Sequence, residues 1–224
     1  MAQDYNREDF LHTIRSIDAS VLYERDEVNY LGCTKDTKEL YTELIAKYLL
    51  DNIDILKSIP VHKREYPYFI KEHLKREVPP ESTPRKEERL AIQLFHKYRE
   101  REDLSEFGRI LDYQVPLKVK RSDFAGKIDL ISVKKGKLRV LELKVENSDD
   151  TMLRCALESY TYSRVLWKEK FLREYGLPPE TEIIPTPLVF KNKHQYTEYY
   201  SDDHRYLREL MESLSIQPIF ISEI

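Results

Sequence analysis

The sequence predicts an α/β protein in which helices flank a mixed central β-sheet and a helical extension precedes it. From residue 85 onward, helical and strand periodicities follow in the order α-β-β-β-α-β-α-β, which is typical of a layered α/β domain. The proline-rich segment 79–84 interrupts any helix and separates this part from an earlier region with helical periodicity. The 224 residues, 41% of them hydrophobic, suffice for one such domain with an extension. We therefore divide the chain into an N-terminal helical region, 1–80, and an α/β domain, 81–224.

Apolar residues at helical spacing predict helices on both sides of the proline segment. Residues 1–78 are predicted to be mostly helical, and Thr37 would cap one helix whose apolar stripe comprises Leu40, Leu44, Ile45, Tyr48 and Leu49. A second helix is predicted from residue 85 to about residue 101, with an apolar face comprising Leu90, Ala91, Leu94, Phe95 and Tyr98.

Three strands are predicted after the second helix, at 111–119, 127–133 and 138–145. Lys135-Gly136, between the last two strands, is a plausible hairpin turn. A long helix should then run from residue 149 or 150 toward residue 175, where a glycine and a proline end it.

The last third of the chain predicts two more strands and a helix. Segment 183–190 has the character of a strand, but Pro185 and Pro187 predict that it is bent or lies at a sheet edge. A helix at 196–214 and a short strand at 216–221 complete the order of elements.

Composition excludes several classes of function. The five glycines are isolated from one another, which excludes a dinucleotide fingerprint, a phosphate loop and a nucleophile elbow. Cys33 and Cys155 form neither a disulfide framework nor a zinc ligand set, so we expect a reducing, cytoplasmic setting. No apolar run approaches the ~20 residues of a membrane helix, and we expect no membrane partner. Because the net charge is −3, nucleic acid would have to bind to a local basic patch.

Two opposite charges share one face of the third predicted strand. Side chains alternate along a strand, so Leu141, Leu143 and Val145 take one face. Glu142 and Lys144 then stand together on the other face. A buried charge costs several kcal/mol unless it is paired or binds a metal, so this placement indicates a functional site.

The hairpin register adds a second carboxylate to this face. A two-residue turn at Lys135-Gly136 places Asp129 directly opposite Glu142. Two facing carboxylates repel each other, and a divalent cation between them would reverse the sign of that interaction. Mg²⁺ suits such a site because it binds through few carboxylates and keeps water and phosphate ligands. Lys144 beside them would supply a point charge, and a metal-held water could then attack phosphorus.

A third carboxylate is expected from the helix that begins at about residue 85. Glu87 lies near the centre of its apolar stripe, and Glu88 lies ~100° away around the helix. Glu87 is the preferred candidate, and Glu88 is the alternative.

Gly126-Lys127-Ile128-Asp129, followed after twelve residues by Glu142-Leu143-Lys144, resembles the Asp…Glu-x-Lys signature of the PD-(D/E)XK nucleases, also called restriction-endonuclease-like. The resemblance covers roughly half the chain and implies a restriction-endonuclease-like α-β-β-β-α-β core. It implies cleavage of DNA, less often RNA, with Mg²⁺ or Mn²⁺ held by Glu87, Asp129, Glu142 and the carbonyl of Leu143. It also implies that Lys144 positions or polarises the attacking water.

Many members of that family carry Gln-x-x-x-Tyr on the next helix, and the matching residues here are Glu158 and Tyr162. Glutamate in place of glutamine puts the usual contact in doubt. Arg154 lies one turn before Glu158 and could neutralise it. These three residues are the candidate substrate-binding residues.

Three readings remain open at this point. The first is a metal-dependent nuclease, with DNA favoured as the substrate and the choice between endonuclease and exonuclease undecided. The second is a catalytically silent member of the same fold that binds nucleic acid or serves in assembly. The third is a structural α/β protein in which the Glu-x-Lys match is accidental, and it predicts that Glu142 and Lys144 are exposed and far from Glu87. Residues 1–80 could recognise substrate, form a homodimer or cover the sheet.

An excess of lysine and arginine between residues 118 and 144 could form a basic rim around the site. Its members outside the Glu-x-Lys motif are Lys118, Lys120, Arg121, Lys127, Lys134, Lys135, Lys137 and Arg139. For the lysines at the hairpin tip, protection of the sheet edge against aggregation is the favoured explanation.

Overall fold

The structure is a computed structural model that describes residues 4–75, 79–100, 106–119 and 126–222. Its centre is a five-stranded mixed sheet whose strands lie side by side in chain order. The strands are β1 (Arg109–Pro116), β2 (Lys127–Lys134), β3 (Lys137–Leu143), β4 (Ile183–Phe190) and β5 (Ile219–Ile221). β1, β2 and β3 pair antiparallel, whereas β3, β4 and β5 pair parallel. The predicted α/β class with a mixed sheet is therefore confirmed.

Helices surround this sheet. The α-helices are α1 (Arg7–Arg15), α2 (Tyr41–Asp51), α3 (Asp54–Lys57), α4 (Lys71–Lys75), α5 (Lys86–Tyr98), α6 (Met152–Val165), α7 (Lys168–Glu174), α8 (His194–Tyr200) and α9 (Arg205–Ser213). Short 3₁₀ helices occur at Ala19–Glu24, Asp26–Asn29, Pro80–Ser82 and Asp202–His204. No helix within the described ranges is long and apolar enough to cross a membrane.

The hairpin between β2 and β3 has the predicted register. Lys134 pairs with Lys137 across the turn, and Leu130 pairs with Leu141 further along. Lys135 and Gly136 both have positive φ angles, 51° and 73°, as a two-residue type I′ turn requires. One step beyond the last recorded pair, this register brings position 129 opposite position 142.

The two prolines of β4 belong to an interior strand of the sheet, in the half of that strand that has a neighbouring strand on one side only. β3 pairs with the first six residues of β4, and β5 pairs only with the last three residues of β4. The amides of Leu138 and Lys144 donate to the carbonyls of Glu182, just before β4, and of Leu188, both at even-numbered positions. The odd-numbered residues Pro185 and Pro187 therefore direct their backbone groups to the other side, where the Pro185 carbonyl accepts from the Gln217 N–H. That side has no strand until Leu188, so the missing N–H groups interrupt no ladder. The edge alternative of the prediction was wrong for β4 as a whole, which lies between β3 and β5, but it holds for the half of β4 that carries the two prolines.

Two helices that were predicted as continuous are each interrupted. The helix expected from residue 149 or 150 toward residue 175 is divided into α6 and α7 at Leu166, whose backbone is extended (φ −62°, ψ 131°). The helix expected at 196–214 is divided into α8 and α9 at Ser201, which is also extended (ψ 137°). Two residues separate α6 from α7, and four, including the 3₁₀ helix Asp202–His204, separate α8 from α9. Apolar spacing continues across both breaks, so periodicity alone did not reveal either interruption.

Several ends also differ from the prediction by a few residues. Thr37 does not cap α2, which begins at Tyr41, because its hydroxyl hydrogen-bonds Thr34 and Glu39 instead. α5 ends at Tyr98, and residue 101, the predicted end, lies outside the described residues. The final strand is three residues long instead of six.

The two faces of the sheet pack against different helices. One face packs on α5, in a cluster that contains Ala91, Phe95, Leu130, Leu141 and Leu143. The other face belongs to a larger cluster that joins Val140 to α6, α9 and the N-terminal helices, including Phe10, Leu44, Leu153 and Leu210. The N-terminal residues therefore share a hydrophobic core with the sheet.

Candidate active site

All seven side chains proposed for catalysis or substrate binding line one cleft of about 520 Å³. They are Glu87, Asp129, Glu142, Lys144, Arg154, Glu158 and Tyr162. They come from α5, β2, the end of β3 and α6, so the fold brings together groups up to 75 positions apart in sequence. Leu143 differs, because its side chain is buried in the core cluster next to α5.

Alternation along β3 places the two charged groups of the Glu-x-Lys motif in this cleft. Leu141 and Leu143 pack against the α5 side, so Glu142 and Lys144 point to the opposite face. Both charged residues are only 4% exposed. This burial contradicts the structural reading of the motif, which required Glu142 and Lys144 to be exposed and far from Glu87.

Asp129 lies deep in the cleft and is held by two hydrogen bonds. Its Oδ2 accepts from the Leu143 N–H at 3.0 Å, and its Oδ1 accepts from the Gln114 side chain at 2.9 Å. Burial raises the pKa of Asp129 to about 7, although Lys144 and the Leu143 N–H act in the opposite direction. Gln114 was missed in the sequence because nothing in its neighbourhood marks a site residue.

Glu142 has one satisfied and one unsatisfied carboxylate oxygen. Its Oε1 accepts from Lys144 Nζ at 3.0 Å. Its Oε2 is buried and has no hydrogen-bond partner among the residues described. Burial, and then the charges of Asp129 and Glu158, raise the pKa of Glu142 well above its ordinary value. A free buried oxygen on such a carboxylate is an acceptor for a cation or a donor group.

Lys144 is surrounded by carboxylates from three segments. Its Nζ lies 3.0 Å from Glu142, 3.0 Å from Glu158 and 3.1 Å from Asp150. Burial alone would lower the pKa of Lys144, but Glu142 and Glu158 hold it well above its ordinary value. The ammonium therefore stays charged.

Glu87 enters the cleft from the first turn of α5. Burial raises the pKa of Glu87, and Lys144 counteracts part of that rise. The neighbouring Glu88 also lines the cleft, and its Oε2 accepts from the Thr83 hydroxyl at 3.2 Å. Glu87 is thus the member of the pair that is electrostatically coupled to both Lys144 and Asp129.

The α6 side of the cleft is arranged differently from the expectation. Glu158 binds Lys144 through Oε2 and accepts the Tyr162 hydroxyl through Oε1, at 3.0 Å in each case. Arg154 forms an ion pair with Asp150 Oδ1, at 3.4 Å. The interpretation that Arg154 neutralises Glu158 was therefore wrong, because Lys144 does so. Asp150 was missed because it precedes the helix and was considered only as a helix start.

Gly126 gives Tyr162 room to reach the site. A Cβ atom at Gly126 would lie 2.2 Å from the Tyr162 hydroxyl oxygen, far inside van der Waals contact. Only glycine lets the chain pass this close to the tyrosine.

Comparison with family models, with curated proteins and with solved structures gave no match.

What the cleft can do chemically follows from its own residues. Among the residues described, no three His, Cys, Asp or Glu side chains stand close enough together to form a metal centre as they are arranged. Asp129 is occupied by Gln114 and the Leu143 N–H, and Lys144 occupies one oxygen of Glu142.

Basic side chains line the outer part of the cleft. Arg85, Lys118 and Lys127 contribute to its walls together with Arg154. Lys134 and Arg139 instead donate to the Glu106 carbonyl, and Lys137 pairs with Glu182. Of the other three basic candidates from this stretch, Lys135 lies in the hairpin turn, and Lys120 and Arg121 lie outside the described residues. The basic rim is thus smaller than the sequence indicated.

Proposed function

We propose that this chain is a metal-dependent nuclease with a restriction-endonuclease-like core that hydrolyses phosphodiester bonds of nucleic acid, with DNA favoured. The observation that carries the proposal is the convergence of Asp129, Glu142 and Lys144 at the buried end of a hairpin, with Glu87 facing them from α5. Perturbed carboxylates and an ammonium in one cleft are typical of an active site, whereas surface ion pairs are exposed.

The donor set suits Mg²⁺ or Mn²⁺. Asp129 and Glu142 would hold the ion, with Glu87 and the Leu143 carbonyl as the further ligands implied by the resemblance. The unsatisfied Oε2 of Glu142 supports this fit, because a bound cation would satisfy it. A divalent cation would also lower the pKa values of Glu142 and Asp129, which burial raises. When bound, the ion supplies positive charge at the phosphate and makes a nearby water more acidic.

Lys144 is the group assigned to the phosphate and the attacking water. Its ammonium has three N–H donors, and three carboxylates now accept from it or pair with it. Exchange of one carboxylate for a phosphate oxygen would let Lys144 stabilise the negative charge that develops on phosphorus oxygens. Glu142 and Glu158 keep the lysine protonated and in place during this exchange.

The outer cations are assigned to the nucleic-acid backbone. Arg85, Lys118 and Lys127 line the entrance, where each can pair with a phosphate. Phosphate contacts position a substrate and carry no sequence information. The proposal therefore concerns the reaction and leaves sequence preference to other parts of the chain.

Cleavage assays test the proposal directly. End-labelled single-stranded, duplex and branched DNA, and matching RNA, would be incubated with Mn²⁺ or Mg²⁺ and, in parallel, with EDTA. We expect cleavage of at least one substrate that requires the metal and that Asp129→Asn abolishes. Asp112→Asn is the matched control, because Asp112 is another buried aspartate, on β1, whose side-chain partners His73 and Tyr175 lie outside the cleft.

Asp112→Asn should cleave at the wild-type rate per folded molecule. Equal cleavage by the Asp129→Asn and wild-type proteins would overturn the proposed site. Absence of cleavage, together with absence of saturable Mg²⁺ or Mn²⁺ binding in calorimetry, would overturn the proposed function.

A second candidate is a catalytically silent module of the same fold that binds nucleic acid or serves in assembly. One observation favours it: Lys144 is fully engaged with Glu142, Asp150 and Glu158, so its ammonium is not free for a phosphate. This candidate predicts nucleic-acid binding that is unchanged by EDTA and by Asp129→Asn. Gel-shift measurements in both conditions distinguish it from the nuclease.

A further inference from the structure

The N-terminal region reaches the cleft through Asn29. This residue ends the 3₁₀ helix Asp26–Asn29, and its Nδ2 donates to Asp150 Oδ1 at 2.8 Å. Its Oδ1 accepts from the backbone N–H of Thr151 at 3.0 Å. The neighbouring Val28 carbonyl accepts from the Thr151 hydroxyl at 2.6 Å. The Thr151 hydroxyl also donates to Asn29 Oδ1, at 3.4 Å. The turn that leads into α6 is thus bound to the N-terminal region by four hydrogen bonds.

Asp150 divides its two carboxylate oxygens between Lys144 and Asn29. Oδ2 pairs with Lys144 Nζ at 3.1 Å, and Oδ1 accepts from Asn29 with Arg154 nearby at 3.4 Å. A hydrogen bond on one oxygen fixes the rotation of the carboxylate and so directs the other oxygen. Asn29 therefore determines where Asp150 presents its charge to the lysine.

The same arrangement occurs at the second carboxylate on the α6 side. Glu158 binds Lys144 through Oε2, while its Oε1 accepts from the Tyr162 hydroxyl. Glu142 differs, since its second oxygen has no hydrogen-bond partner among the described residues. Two of the three carboxylates around Lys144 therefore have their second oxygen held by another side chain. Asn29 holds Asp150, and Tyr162 holds Glu158.

We propose that Asn29 is a positioning residue of the active site, which acts through Asp150 to hold the Lys144 ammonium, and that the N-terminal region is in this way part of the site. The inference rests on the proposed nuclease function. It gives residues 1–80 a role beyond covering the sheet, because the lysine stem is flexible and its ammonium is located by the carboxylates around it. Small displacements of a catalytic group slow a reaction strongly.

Asn29→Asp is the sharpest variant to test this role. It keeps the oxygen that accepts from Thr151, but replaces the amide donor facing Asp150 with a carboxylate that repels it. Asn29→Ala removes both contacts without adding charge and keeps the test usable if the aspartate variant does not fold. Asn52→Asp is the matched control, since Asn52 lies in the same region, is exposed and donates only to the Tyr48 carbonyl.

Two readouts separate positioning from general stability. The first is steady-state cleavage, in which we expect kcat to fall about tenfold or more with little change in KM, as a misplaced catalytic group requires. The second is the ¹⁵Nζ–¹H NMR signal of the Lys144 ammonium, recorded at a temperature where circular dichroism shows every variant folded. We expect this signal to shift or broaden in both Asn29 variants and to stay unchanged in Asn52→Asp.

The outcomes distinguish the inference from the function on which it rests. Unchanged kcat in a folded Asn29→Asp protein, or an unchanged Lys144 signal, overturns the positioning role. A fall in kcat with a shifted signal supports it. A shifted signal in a protein that cleaves no substrate supports the contact from Asn29 to Lys144 and shows that the nuclease proposal is what fails.

Discussion

Replacement of Asp129 by asparagine should stabilise the protein at alkaline pH while removing its proposed activity. Asp129 is 8% exposed, and its pKa in the folded protein is raised from 3.8 to about 7. A carboxyl group with a raised folded pKa binds its proton more tightly in the folded state. Stability is therefore lost as the pH rises through the window from about 4 to about 7.

The magnitude follows from the size of this shift. About three pKa units at about 1.4 kcal/mol each give on the order of 4 kcal/mol of lost stability above pH ~7. Roughly a third of this loss has already occurred at about pH 5, so the interval from about pH 5 to about pH 8 accounts for about 3 kcal/mol. Asparagine has the same shape and no proton to lose. Its oxygen can still accept from the Leu143 N–H, and Gln114 can turn its amide to offer an oxygen.

Urea unfolding followed by circular dichroism measures this difference. With EDTA present, the free energy of unfolding of Asp129→Asn relative to wild type should increase by about 3 kcal/mol between about pH 5 and about pH 8. Asp18→Asn is the control whose difference from wild type should stay constant over this range, because hydrogen bonds from Ser20 lower the pKa of Asp18 from 3.8 and so place its titration below the range. A difference between Asp129→Asn and wild type that stays constant across this pH range would refute the reasoning.

Three further changes have definite expected outcomes. Lys144→Met removes the ammonium from a buried cluster of carboxylates and should lower the free energy of unfolding by about 3–5 kcal/mol, measured with urea at neutral pH. Lys170→Met, at a more exposed ion pair, should lower it by less. Equal losses of stability would contradict this account. Gly126→Ala should displace the Tyr162 hydroxyl, visible as a changed tyrosine environment in near-ultraviolet circular dichroism, and an unchanged spectrum would refute the close approach. Thr151→Val removes the N-terminal cap of α6 and should destabilise the protein by about 1 kcal/mol in the same unfolding assay; no loss would mean that the cap is dispensable.

Local rules were enough to predict the centre of the cleft. The alternation of side chains along β3 and the two-residue turn at Lys135-Gly136 together brought Asp129, Glu142 and Lys144 to one face. Both rules depend on residues close in sequence, since a strand repeats every second residue and a tight turn determines the register of its hairpin. The helical period of α5 similarly directed attention to Glu87.

The ends of helices that follow one another closely in the sequence were harder to predict. The breaks begin at Leu166 and Ser201, each of which is extended, and helical residues continue on either side of them. The interior place of β4 in the sheet was also not predictable, because it depends on β5 joining only the last three residues of β4.

The sequence by itself determined the α/β class, the hairpin and the three charged residues at its end, because period and turn chemistry are local properties. Only the tertiary structure decided which groups surround them. Gln114, Asp150 and Asn29 carry no pattern that marks them, and Asn29 meets Asp150 across 121 positions. Such contacts arise when helices and strands bury their apolar faces together, and the burial that places Lys144 beside Glu142 is also what raises the pKa of Glu142.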